Sequence, residues 1–400
     1  MKVKFINIGK VDVAELDNEG LSLVSGNNCS GKTTLVRALY SLLNSYANIE
    51  SKITAIKVEK IVKLTIKWFD NSILMSNSTH LNEIRREFIN SMSITIEGYP
   101  NGNIICDKTL IAMVDWSNQL YEYSYEFKIN KNNDALFEKM NKALNAPDRE
   151  YITKIINENL TNNGNINSVL NDEEATISIN DEVLTIKNNR VVNNSISISS
   201  LKKIEPPIYY NFCSESRVIN EECVRKLNKL PIIRNIDTLS ETFKVDEIAK
   251  GKLLKMIESS INGYIVTYNG ELKFKDTEKD KLLSIPYMGS SIFLFAMIAR
   301  LIENNSLTRG STLILDAPVA NLHSDWYEYL TRILFRMYRD LEINTVLVST
   351  NPTLVKSIEN VVNENGDVPT HFYLIREASH RSYSTEVSND LELIYDELNA

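Results

Sequence analysis

Eight consecutive residues, Gly26-Asn27-Asn28-Cys29-Ser30-Gly31-Lys32-Thr33, follow the pattern GxxxxGK[ST] without exception. Each type has a chemical task. The glycines let the chain turn its N–H groups inward around a phosphate, where a Cβ would obstruct the approach. The pattern expects the Lys32 ammonium to reach the β- and γ-phosphates of a nucleoside triphosphate and the Thr33 hydroxyl to ligate Mg²⁺. Thr34 carries the chain into a helix whose N-terminus adds partial positive charge. A phosphate loop of this kind needs an aspartate at the end of a neighbouring strand to hold Mg²⁺ through water. Leu313-Ile314-Leu315-Asp316 supplies one. Gly289-Ser290-Ser291 opens a strongly apolar run, Ile292 to Leu301, shortly before it. The expected nucleotide-binding set is therefore Gly26, Asn27, Asn28, Cys29, Ser30, Gly31, Lys32, Thr33, Thr34, Gly289, Ser290, Ser291 and Asp316, with Thr33 and Asp316 on the metal.

These residues need strands that end at the site and helices that begin there. Val3, Phe5 and Ile8 open a strand, Leu21, Leu23 and Val24 a second, and Leu35, Val36, Leu39, Leu42 and Leu43 recur at helical spacing behind the glycine loop. Residues 61–68 alternate, with Val62, Leu64, Ile66 and Trp68 against Lys63, Thr65 and Lys67, which reads as a half-buried strand. Further alternation follows at 93–97 and 121–128. Residues 134–161 read as a helical pair, with Pro147 near the second start. Strands are expected at 176–179, 183–186 and 195–199, with Asn188-Asn189 as a hairpin turn. From residue 206 helices and strands alternate, the mark of a parallel α/β sheet. The expected division is 1–130 and 206–400 as the two parts of one nucleotide-binding head, with 131–205 as a helical and β-hairpin insertion.

Composition narrows the classes. Hydrophobic residues make up 43 % and charged residues 24 %, the profile of a globular protein. No apolar run approaches the roughly 20 residues that cross a bilayer, and the first residues lack the apolar core of a signal peptide, so a cytoplasmic location without membrane contact is expected. Cys29, Cys106, Cys213 and Cys223 show no CxxC pairing, which fits free thiols and does not indicate zinc. A formal charge of −8 argues against coating nucleic acid by charge alone. A local contact of DNA with Lys57, Lys60, Lys63 and Lys67 stays open beside a plain solvated face.

Spacing decides the subclass. About 280 residues separate the loop from Asp316, while Gly289-Ser290-Ser291 lies only about 25 before it. In these features the chain resembles the RecF/SMC-like ABC ATPases, and among them the bacterial ATPases related to the overcoming-lysogenization-defect (OLD) family, many of which serve anti-phage defence. Phe5-Ile6-Asn7-Ile8-Gly9-Lys10 with the glycine loop is similar to their N-terminal half-motif. Leu315-Asp316-Ala317-Pro318-Val319-Ala320-Asn321-Leu322-His323 is similar to their DEPExNLH stretch, and Val348-Ser349-Thr350-Asn351-Pro352 to their STHSP. The resemblance covers roughly 1–45 and 280–355. It implies an α/β fold, a P-loop ABC/SMC-type ATPase head with a mixed sheet, helices and an α+β insertion. It also implies ATP with Mg²⁺ as ligands, and an ATP-bridged dimer of heads in which the serines of one copy cap the γ-phosphate held by the other.

The departures carry as much information. The family's water-orienting glutamate falls on Ala317, its second acidic position on Val319, and its switch histidine on Asn351. Alanine cannot align water, and asparagine cannot take a proton at neutral pH. The expectation is a head that binds ATP and hydrolyses it slowly or not at all, with Asn351 and His323 as the remaining candidates for a catalytic part. Arg217 is open between an ion pair and a phosphate contact, and Trp326 is expected in the core. Fewer than about fifty residues follow Asn351, too few for a Toprim nuclease, so effector chemistry is expected from a separate partner such as a nuclease or toxin. The rivals are an active DNA-repair or recombination ATPase that binds DNA, and a scaffold that holds ATP permanently.

Overall fold

A computed structural model describes residues 1–72, 138–139, 142–143, 145–162, 174–187, 190–197, 204–212, 225–229, 241–320, 322–378 and 380–399. The chain divides into two compact units, Met1–Ala47 with Ile156–Ala400, and Asn48–Ile155. In chain order the elements begin with β1 (Lys2–Ile8), β2 (Val11–Asp17), β3 (Leu21–Ser25), α1 (Lys32–Tyr46), α2 (Ile49–Ser72) and α3 (Asp148–Asn162). Next come β4 (Ala175–Ile179), β5 (Glu182–Lys187), β6 (Arg190–Asn194), β7 (Ile208–Asn211), α4 (Glu241–Ile261), β8 (Gly263–Tyr268), β9 (Glu271–Asp276) and β10 (Lys281–Ser284). The chain closes with α5 (Ser290–Glu303), β11 (Thr312–Asp316), α6 (Asp325–Leu341), β12 (Asn344–Val348), α7 (Pro352–Glu364), β13 (Thr370–Ala378), β14 (Arg381–Glu386) and α8 (Glu392–Asn399).

The first unit is mixed α/β, built on an eleven-stranded sheet of order β6-β5-β4-β1-β2-β14-β13-β3-β12-β11-β7. Five neighbours at one end, β13, β3, β12, β11 and β7, are parallel. Their sequences are near-continuous apolar runs, and β3 and β11 are buried at every residue. That is what a parallel strand covered on both faces requires. Helices α1 and α6 pack on this part of the sheet. Register then sets the site: Val24 stands opposite Val348, Val348 opposite Asp316, and Asp316 opposite Asn211. Four strands thus end in line at the carboxyl edge, where open α/β sheets bind their ligands.

The other end of the sheet is mostly antiparallel. Strands β4 to β6, read from sequence as part of a middle insertion, continue the sheet beyond β1, with Phe5 opposite Ile177. The β4–β5 turn is Asn180-Asp181, both at positive φ (47° and 66°), a two-residue turn that matches strand twist. Asn188-Asn189 lies outside the described residues. The strand expected at 195–199 is corrected over its described residues: 195–197 form no strand. The Ser195 hydroxyl accepts from the N–H of Val183 and donates to its C=O, which the Ser195 N–H also bonds. Residues 198–199 lie outside the described residues. Against the same core, α4, the hairpin β8–β10 and α5 bury Leu253, Ile257, Ile265 and Phe274. Trp326 is partly buried there beside Phe295 and Tyr329, ring centroids 5.2 and 5.8 Å away.

In the second unit the strand expected at 61–68 is replaced by helix, since α2 runs unbroken from Ile49 to Ser72. Among the described side chains of α2, Ile49, Ile53 and Ile61 are buried, and their spacing of four and eight is helical. The β-branched residues between the lysines mimic a strand over eight positions only. Lys60 stands over the Tyr151 ring at 4.4 Å, Lys57 pairs with Asp148 at 2.9 Å, and Lys63 pairs with Glu59 one turn earlier. The alternating segments at 93–97 and 121–128 lie outside the described residues. Among the described residues no helix is long and apolar enough to cross a membrane.

Leu347, wholly buried at the centre of the parallel strands, should lose about 2–5 kcal/mol of stability as Leu347→Ala in urea unfolding. Val192→Ala, at a position 57 % exposed, should change it by less than about 0.5 kcal/mol. Equal shifts would show that the core is placed wrongly.

Candidate functional site

The glycine loop leaves β3 at Gly26, whose φ is 136°. A Cβ there would lie 2.3 Å from the carbonyl oxygen of Ile375, so only glycine fits. Cys29 and Gly31 are also left-handed, at φ 63° and 95°. At Cys29 this costs on the order of 1 kcal/mol, because the residue has a Cβ. Gly31 caps α1 with no side-chain hydrogen bond, so the first N–H groups of the helix point out of its end without a side-chain cap. Asn27, Asn28 and Cys29 are exposed, while Ser30 and Lys32 are buried.

Lys32 folds back across the loop. Its Nζ donates to Gly26 O at 2.8 Å, Asn27 O at 2.6 Å and Ser30 Oγ at 3.2 Å. Burial draws its pKa from 10.5 down to about 8, against the pull of Asp316 and Cys29 in the other direction. The ammonium is therefore held where neutralisation is within easy reach.

Asp316 is 2 % exposed at the end of β11. Against burial, the nearby Thr33 side chain works to lower its pKa. Its carboxylate accepts from Tyr209 OH and Asn211 Nδ2, both at 3.0 Å and both to Oδ2. Tyr209 OH in turn accepts from Arg37 Nε at 3.1 Å, one turn beyond Thr33 on α1. Burial still raises the Asp316 pKa above the usual carboxylate range, and burial with the nearby Asp316 charge pushes Tyr209 up to about 12. A buried carboxylate beside a hydroxyl is the oxygen set that suits a hard divalent cation completed by phosphate and water. Among the described residues no group of three or more His, Cys, Asp or Glu could hold a metal by itself.

The expected residues thus fall into separate places. Gly26 to Thr34 and Asp316 meet at the carboxyl edge, across a sequence gap of about 280 residues. Ala317 has a left-handed backbone, φ 53°, and its N–H donates to Val348 O at 2.9 Å. Asn351 caps α7: its Oδ1 accepts from the N–H of Thr353 (2.9 Å) and Leu354 (3.3 Å), and its Nδ2 donates to Tyr327 OH at 3.1 Å. His323 is 72 % exposed with Nδ1 3.3 Å from Asp325 Oδ2. Gly289 is exposed at the start of α5, without a side-chain cap, and a Cβ there would meet nothing within 4 Å. Among the described residues, no hydrogen bond joins Gly289–Ser291 to the loop. Cys29 is a free, exposed thiol; the other cysteines and Arg217 lie outside the described residues.

Sequence reasoning missed Tyr209, Asn211 and Arg37. The only local signal was that residues 209 and 211 share one face of a strand. Nothing in the chain announces that this strand lies beside β11.

Lys32 fixes a pH signature. Its folded pKa lies below its unfolded value, so between about pH 8 and 10.5 the unfolded chain holds more protons and stability should rise with pH. In Lys32→Met that rise should disappear from urea midpoints taken at pH 7.5 and 9.5. A wild-type midpoint with the same pH slope as the variant would refute the buried ammonium.

No protein-family model matches the chain, and no curated protein matches it. Among solved structures it is similar to SMC head domains. One is a head bound to the C-winged helix domain of ScpA, with 9 % identity, 98 % of each chain covered and a TM-score of 0.42. Another is the SMC head domain from Thermotoga maritima, with 7 % identity, 97 % of this chain and 98 % of that one, and a TM-score of 0.39. A third is the Pyrococcus furiosus head with an extended coiled coil, bound to the C-terminal domain of ScpA, with 9 % identity, 100 % and 99 % covered, and a TM-score of 0.39. The functional reading rests on the residues of the site.

Proposed function

We propose that this chain is an ABC/SMC-type ATP-binding head whose copies assemble around Mg·ATP. The observation that carries the reading is the meeting of buried Lys32 and Asp316 with half-buried Thr33 at the ends of parallel strands. In this reading the loop N–H groups and Lys32 take the β- and γ-phosphates, and Thr33 and Asp316 hold the metal, which screens phosphate charge. Tyr209 and Asn211 keep Asp316 oriented, and Arg37 keeps Tyr209 donating. The exposed, uncapped start of α5 at Gly289–Ser291 serves as the anion-binding end that a second copy presents to the γ-phosphate.

Hydrolysis is slow or absent in this reading. The methyl of Ala317 offers nothing to align water, and Asn351 spends its side chain on capping α7 and on Tyr327. ATP then acts as a clamp that populates one assembly state. That state controls a separate effector, such as a nuclease or toxin in bacterial anti-phage defence, an assignment that follows the sequence resemblance.

Calorimetric titration with Mg·ATP should show binding that Lys32→Ala weakens by roughly tenfold or more, the size of a lost charged hydrogen bond. Affinity should fall as pH rises through about 8, opposite in sign to stability, because the free protein loses the Lys32 charge. Wild-type turnover should be near background, and Ala317→Glu should raise it. Brisk Lys32-dependent turnover by the wild type would overturn the holding role, and affinity indifferent to Lys32 would overturn the site.

A further inference from the structure

The outer rim of the glycine loop is gripped from β13, a strand far from it in sequence. Ile375 runs so close to Gly26 that its carbonyl excludes a Cβ there. The next two residues of β13 point to opposite sides, as strand neighbours do, and each enters an ion pair. Arg376 Nε meets Glu397 Oε2 of α8 at 3.2 Å, and Glu377 Oε2 meets Lys10 Nζ of the β1–β2 turn at 2.5 Å. One member of each pair then bonds the loop itself. Glu397 Oε1 accepts from Asn27 Nδ2 at 2.8 Å, and Lys10 Nζ donates to Cys29 O at 3.2 Å.

We infer that Arg376–Glu397 and Lys10–Glu377 form a two-point clamp that positions the phosphate loop, through the Asn27 side chain and the Cys29 carbonyl. The inference rests on the nucleotide-binding reading above. Residues 27–29 are exposed, and Cys29 holds a left-handed backbone that a non-glycine residue keeps only where its surroundings dictate it. Lys10 supplies that constraint. Glu397 sits on a firm mount: Ile394 of the same helix is wholly buried, Tyr395 OH donates to Glu359 at 2.8 Å, and Arg376 Nη2 donates to Leu393 O at 3.4 Å. Exposed ion pairs contribute little by themselves. Their effect here is preorganisation, because a loop fixed in its binding shape loses less freedom on binding. Lys10, Arg376, Glu377 and Glu397 are positioning residues, and none of them needs to touch the nucleotide.

The test uses the full chain and Mg·AMP-PNP. Glu397→Ala and Lys10→Met should each weaken binding roughly three- to tenfold. Asn27→Ala should add nothing on top of Glu397→Ala. Lys10→Met should lose its effect in a Cys29→Gly background, where the left-handed backbone no longer needs support. Hydrogen exchange without nucleotide gives the second readout: amides of residues 27–31 should exchange faster in Glu397→Ala and Lys10→Met than in wild type, with the sheet unchanged. Unaltered loop exchange, or affinity losses that add independently, would overturn the clamp. A wild type that fails to bind Mg·AMP-PNP would sink the nucleotide reading instead, and loop exchange would still judge the clamp.

Discussion

The carboxylate of Asp316 is the constraint around which the rest of the structure is arranged. A buried charge is tolerated only when it is paired and hydrogen-bonded. This one lies 2 % exposed at the end of a strand that is otherwise Thr-Leu-Ile-Leu. Its hydrogen-bond donors, Tyr209 and Asn211, come from β7, and Thr33 and Lys32 of α1 lie close enough to favour its charged form. For these to converge, β3, β12, β11 and β7 must be parallel and end in register, as they do. A one-residue slip of β7 would turn Tyr209 and Asn211 to the other face and leave the carboxylate without two of its donors. The apolar runs stabilise the sheet, and the polar cluster at its edge selects the register.

The same cluster departs from local rules at several residues. Cys29 and Ala317 are left-handed without being glycine, asparagine or aspartate, and Lys32 is a buried lysine whose charge is half relinquished at about pH 8. Such violations persist where the surroundings over-determine them, and they gather at functional sites. Each has an identifiable holder here: Lys10 on the carbonyl of Cys29, Val348 O on the N–H of Ala317, and the loop carbonyls on Lys32.

What was legible in the sequence is what is local. The glycine loop is contiguous, and its residue types carry their own mechanism. Asp316 was readable because a phosphate loop needs an aspartate at the end of an apolar strand, and residues 313–316 offer one. The pairing of β7 with β11, and of β13 with β3, depends on contacts across a hundred to several hundred residues. Neither short strand carries a mark of its neighbour, so Tyr209, Asn211, Arg376 and Glu397 could not be assigned to the site. The misreading of 61–68 has a different cause. Alternation over eight residues fits a strand, whereas the buried isoleucines at 49, 53 and 61 reveal the helix only over a longer window.

Holding a nucleotide and splitting it draw on different parts of this edge. In the proposed reading, binding uses the loop after β3 and the last residue of β11. Alignment of water belongs to the residue after that strand, and phosphate sensing to the residue before α7. The backbone at 317 is left-handed and held by its N–H bond to Val348 O rather than by a polar side chain. At 351 the demand is for a helix cap, which asparagine meets as well as any residue. A lineage could therefore exchange both side chains and keep the binding half intact, since neither Ala317 nor Asn351 bonds Lys32, Thr33 or Asp316. The coupling runs the other way only through Asp316, whose loss would leave Tyr209 and Asn211 without their shared acceptor. In the proposed reading the binding residues are tied to one another through Asp316, whereas Asn351 is tied to α7 and Tyr327 instead.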